Sequence, residues 1–136
     1  MRKQLDKIIS FWTGKGNCPA PSRPMPSRAE IIEIMRDKQL SFSDEVIRVL
    51  YNAEGDKRFV VLKRDDGLFR YLYERLEPFN EEEWIYISRD ENALPGNWIG
   101  IGRQVSLFGT EREAWNDLML SPEYMAFFSA SIAKNE

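Results

Sequence analysis

At 136 residues the chain has the length of one ordinary domain, and folding would bury roughly two-thirds of the surface its unfolded form exposes, so a core is within reach without covalent staples. Hydrophobic residues at 43 % and charged residues at 30 %, with 8 Phe, 5 Tyr and 4 Trp, exclude a disordered chain. The formal net charge of −3 supplies no general pull toward nucleic acid or an anionic membrane, and a single cysteine, Cys18, excludes an internal disulfide. These features lead us to expect a soluble protein of a reducing compartment, the cytoplasm.

Residues 3–13 read as a short amphipathic helix, with Leu5, Ile8, Ile9 and Trp12 at i, i+3, i+4 and i+7 and Gly14 and Gly16 ending it. Its apolar run is too short and interrupted for a signal peptide or a membrane span. We therefore expect residues 1–16 to form an N-terminal helix that packs on its own domain or on another copy. Residues 17–27 form a proline-rich linker, in which Pro19, Pro21, Pro24 and Pro26 favour extended chain. From residue 28 to 136 a single α+β domain is expected.

Ser27 and Glu30 form a capping-box pattern, which predicts a helix from about Arg28 to about Lys38 with Ile31, Ile32, Ile34 and Met35 on its apolar side. Residues 45–76 read as three β-strands, because aromatic and β-branched residues cluster in runs of strand length. The runs break at Glu54-Gly55-Asp56 and at Asp65-Asp66-Gly67, where glycine provides the positive φ that tight hairpins need. In the third strand Phe69, Tyr71 and Tyr73 point one way and Leu68, Arg70, Leu72 and Glu74 the other. Residues 78–83 then read as a turn, 84–87 as a fourth strand, 92–103 as a glycine-rich loop and 104–108 as a short fifth strand. Thr110 with Glu113 repeats the capping-box pattern, opening a helix with Ala114, Trp115, Leu118 and Met119 on one side; Ser121 followed by Pro122 opens a last one. The expected fold class is α+β: an antiparallel four- to five-stranded meander sheet with helices packed on one face, plus the N-terminal helix on its proline-rich strap.

Chemistry is constrained chiefly by what is missing. With no histidine in the chain, Ser-His-Asp and Cys-His arrangements, the HExxH metal site and every imidazole base are excluded. One cysteine and no histidine also exclude a structural zinc site. Gly100-Ile101-Gly102 begins like a dinucleotide fingerprint, but Val105 stands where the third glycine belongs. The remaining acidic clusters, Asp65 and Asp66, Glu81 to Glu83, and Asp90 with Glu91, fall in expected turns without EF-hand spacing. No catalytic residue, cofactor or metal ligand is assigned.

Binding is the better-supported class. Tryptophan, tyrosine and arginine bring large area, little rotamer entropy and a polar tip to an interface; Trp98, Arg103, Tyr86 and Arg70 are the partner-contact candidates, with Trp84 and Trp115 assigned to the core. Phe69, Tyr71 and Tyr73 outline a base-stacking platform, yet Glu54, Asp56, Asp65, Asp66 and Glu74 interleave with the neighbouring cations and cancel their field, so nucleic acid is not the expected partner. We expect a small protein-binding or regulatory module, whose partner is another protein or a second copy of itself. The alternatives are a small-molecule-binding or carboxylate-dependent enzyme domain with a pocket near residues 92–103, and a self-assembling structural protein.

Overall fold

A computed structural model describes residues 20–102 and 106–128. Helix α1 (Arg28–Met35) leads into strands β1 (Glu45–Tyr51), β2 (Lys57–Lys63) and β3 (Phe69–Pro78); α2 (Glu81–Ile87), β4 (Gly96–Gly100), α3 (Glu111–Met119) and α4 (Pro122–Phe127) follow. The four strands form one antiparallel sheet in the meander order β1-β2-β3-β4. The fold is thus α+β, as the strand and cap signals imply. The expected N-terminal helix, Cys18 and the first part of the linker lie outside the described residues.

Both hairpins form at their glycines, Gly55 at φ 83° and Gly67 at φ 85°. The first turn is also tied by Asn52, whose Oδ1 accepts from the N–H groups of Gly55 and Lys57 and whose amide donates to Asp56 at 2.8 Å. A Cβ on Gly55 would stand 2.9 Å from Ile32 Cγ2, so α1 rests directly on this turn.

Strand alternation sends Phe59, Val61, Tyr71 and Tyr73 to one face, where Leu118, Tyr124 and Phe128 of the α3–α4 pair cover them. Arg58, Val60, Leu62, Glu74, Leu76 and Trp98 share the opposite face, with α1 packed against Leu76 and Trp98 through Ile31 and Met35. Helices thus lie on both faces, α3 and α4 on the aromatic one and α1 on the other, and not on one face as expected, because the face of Leu76 and Trp98 is also apolar and needs cover.

The structure corrects two sequence assignments. Residues 84–87 are helical: Asn80 caps α2, accepting from Glu83 N–H at 2.8 Å while Glu83 Oε1 accepts from Asn80 N–H at 2.9 Å. Glu81, Glu82 and Glu83 fill its first turn, where carboxylates meet the positive end of the helix dipole. Cap and dipole together override the strand propensity of Trp-Ile-Tyr-Ile. The fourth strand is instead Gly96–Gly100, in the stretch read as a loop. Glycine is needed at its start, since a Cβ on Gly96 would lie 2.7 Å from the Glu77 carbonyl oxygen of the paired strand. Of the expected fifth strand, the described part contributes one antiparallel bridge, Phe69 with Phe108, each N–H bonding the other's carbonyl at 2.8 Å.

The described part of the proline-rich segment is fastened to the domain. Ser22 N–H donates to Ser88 Oγ, Arg23 donates to the carbonyls of Asp90 and Ala93, and Trp84 Nε1 donates to the Arg23 carbonyl at 2.8 Å. The Arg23 guanidinium also stacks over the Trp84 ring at 4.9 Å.

Candidate functional site

The four residues singled out from the sequence do not meet. Trp98 is 7 % exposed; its indole N–H donates to the Met35 carbonyl at 2.9 Å, and the Arg58 guanidinium covers its ring at 4.3 Å. Trp98 pairs with Leu76, which lies six residues along β3 from Arg70; at strand rise that is about 20 Å. Arg70 is clamped to Asp44 at 2.7 Å and holds down the connector between α1 and β1. Tyr86, 39 % exposed, sits on α2 with Arg89 over its ring at 5.1 Å. In a helix Trp84 and Tyr86 are about 200° apart, so Trp84 is 1 % exposed while Tyr86 faces out. Arg103 lies outside the described residues.

A different set converges on one surface. On α3, Glu111, Trp115 and Met119 recur at i, i+4 and i+8 and form a stripe beside the buried Ala114 and Leu118. Trp115, assigned to the core from the sequence, is only half-buried. Arg48 of β1 lies across this stripe, its guanidinium 4.9 Å from the Trp115 ring centroid and its Nη2 3.0 Å from Glu111 Oε2.

A β-bulge places Arg48 there. Val46 pairs with Leu62 and Arg48 with Val61, so Val46 to Arg48 oppose two residues of β2 and Ile47 is the extra one. Without it, Arg48 would fall opposite Val60 and point to the other face. With it, Arg48, Glu111, Arg112, Trp115, Asn116 and Met119 line a groove of about 480 Å³.

Of the three described tryptophans, Trp84 and Trp98 donate to main-chain carbonyls. The Trp115 indole N–H has no acceptor among the described residues, and Arg112 forms no ion pair among them. The groove therefore offers an apolar floor and two unmatched donors. The sequence signal for it was the stripe itself: a tryptophan four residues from both a glutamate and a methionine, beside an arginine.

On the same face of the sheet but away from β1, a cleft of about 310 Å³ opens between Phe59, Tyr71 and Tyr73 and the α3–α4 junction. It touches the region of the expected pocket only through Ile101 and Gly102, because Trp98 points to the opposite face. Tyr71 donates to Asp117 Oδ2 at 2.7 Å. The Tyr73 phenol is held above its ordinary range by burial, with the Glu123 and Asp56 carboxylates adding to the effect.

Among the described residues no group of three or more acidic or cysteine side chains is placed to hold a metal ion, and no helix is long and apolar enough to cross a membrane. Comparison with protein-family models, curated proteins and solved structures yields no match to this chain.

Proposed function

We propose that the chain is a cytoplasmic protein-binding module that engages another protein through the groove between β1 and α3. The observation that carries this reading is Trp115: half-buried, its indole N–H unmatched among the described residues, and roofed by an arginine that a β-bulge aims at it. Tryptophan, arginine and methionine are the residue types enriched at interface centres, and a ring already stacked under a guanidinium loses little freedom on binding. The complementary partner surface presents an apolar side chain beside a carboxylate or carbonyl acceptor, matching the floor of Trp115 and Met119 and the donors of Trp115 and Arg112. Tyr86 with Arg89 is a second exposed pair of the same residue types.

The test is affinity capture from nuclease-treated lysate of the natural source, with Trp115→Ala and Tyr86→Ala variants in parallel. The captured protein is then purified and titrated. A stoichiometric partner whose affinity falls by about 2 kcal/mol or more in Trp115→Ala supports the groove. Loss only in Tyr86→Ala moves the site to α2. Capture of the chain alone, with a dimeric molar mass, replaces a foreign partner by a second copy.

A further inference from the structure

The cleft under the α3–α4 junction combines three properties. Its floor is aromatic, built from Phe59, Tyr71 and Tyr73. Its acidic groups are Asp117 and Glu123, and among the described residues no lysine or arginine lines it. Among the described residues, two cations of the adjoining strands are already engaged: Lys57 with Asp56 at 3.3 Å and with the Phe127 ring, and Arg75 with Glu77 at 2.5 Å. Two carboxylates thus bear on aromatic rings with no cation of the lining to balance them. At about 310 Å³ the space is at the small end of ligand sites.

We propose that this cleft binds a small organic ammonium ion. The cation sits against the aromatic floor, attracted by the negative faces of the rings, while Glu123 and Asp117 supply the opposite charge at the rim. Leu120, 80 % exposed at the mouth, gives the alkyl part of the ligand a surface to cover. Burial raises the Tyr73 phenol pKa first, and the Glu123 and Asp56 carboxylates add to it against an opposing effect of Arg75, so the Glu123 charge is felt at the aromatic floor. The site is separate from the Trp115 groove, which lies on the β1 side of α3.

The experiment titrates the isotope-labelled full chain with choline and with n-butylammonium, and with the neutral isostere 3,3-dimethylbutanol, following amide shifts at Gly102, Leu120, Ser121, Glu123 and Tyr124. We expect saturable shifts with the ammonium ions and none with the alcohol. Glu123→Gln should weaken binding about threefold to fivefold, the worth of one partly exposed ionic contact. Asp117→Asn keeps an acceptor for the Tyr71 hydroxyl and decides the matter if Glu123→Gln disturbs α4. Trp115→Ala should leave the titration unchanged, so failure here is distinguishable from failure of the groove. Absence of saturation with both ammonium ions, equal binding of the alcohol, or indifference to both carboxamide variants would overturn the proposal.

Discussion

On one face of the sheet Phe59, Val61 and Tyr71 pack against Leu118, Tyr124 and Phe128, with Phe59 to Phe128 ring centroids 4.8 Å apart. On the other, Val60 and Leu62 are equally buried, but they share their face with a fully buried arginine. Arg58 Nε donates to Glu74, its cross-strand partner, at 2.6 Å; Nη1 and Nη2 donate to the carbonyls of Lys38 and Gln39 at 2.8 and 3.0 Å. The segment it grips contains two non-glycine residues in the left-handed region, Asp37 at φ 62° and Gln39 at φ 56°. Such backbone costs of order 1–3 kcal/mol per residue and persists only when its surroundings dictate it. Here they do: Tyr51 exchanges hydrogen bonds with Asp37, and Gln39 accepts from Trp98 N–H and donates to Asn97. The aromatic face spreads its stability over many small contacts, whereas the α1 face concentrates it in one cation and the chain wrapped around it.

That contrast predicts different responses to mutation. Arg58→Ala should cost about 3–5 kcal/mol in urea unfolding, because it leaves Glu74 buried and uncompensated. Phe128→Ala should cost about the same, from lost burial and a cavity. The faces separate in the double variant Arg58→Met, Glu74→Met, which should recover much of the loss, since two apolar chains replace a buried ion pair at little net cost. If the double variant is as unstable as Arg58→Ala, the wrapped carbonyls and not the ion pair dominate that face.

Trp98→Phe keeps the ring under Arg58 but removes the donor to Met35, and should cost about 1–3 kcal/mol with faster amide exchange confined to residues 36–39. A uniform rise in exchange would show that the two faces unfold as one unit.

Asp56→Asn should cost about 1–2 kcal/mol near neutral pH. Burial alone would raise the Asp56 pKa, but the Asn52 and Lys57 hydrogen bonds, with the Lys57 and Arg28 charges, outweigh it and hold the carboxyl below its ordinary 3.8. A lowered folded pKa means that the unfolded chain binds more protons in that window. The stabilisation is therefore present above pH 3.8 and is lost as the pH falls through the folded value. Acid titration of both proteins should show the gap between them closing over that range.

Asn80→Ala should cost about 1 kcal/mol and loosen α2 first, and with it the strap held at Ser88.

Much of this architecture is legible in the chain because it rests on local chemistry. Gly55 and Gly67 mark both hairpins, and Ser27, Thr110 and Ser121 cap the helices they precede. At α3 the box is altered: Thr110 Oγ1 accepts from Glu113 N–H, and the Glu113 carboxylate takes the Thr110 hydroxyl at 3.1 Å. Asn80 with Glu83 carried the same signal for α2, which the strand-like Trp-Ile-Tyr-Ile run obscured.

The site was harder to read. Trp98 and Trp115 are chemically alike in sequence, yet one is buried and the other half-buried, and the arginines over their rings, Arg58 and Arg48, lie 40 and 67 residues away.

What the sequence determined by itself is therefore the set of elements whose signals lie within one turn of chain: the two glycine hairpins, the caps, the aromatic face of β3 and the absence of imidazole chemistry. Only the tertiary structure decided that Gly96–Gly100 is a strand, since glycine and asparagine carry no strand preference and the free edge of β3 supplies the hydrogen bonds. It also decided that Trp98 is buried while Trp115 is half-buried at the edge of the core. A bulged residue at Ile47 turns Arg48 over Trp115, and a buried guanidinium at Arg58 draws Trp98 inward. Both are long-range contacts, and no local propensity encodes them.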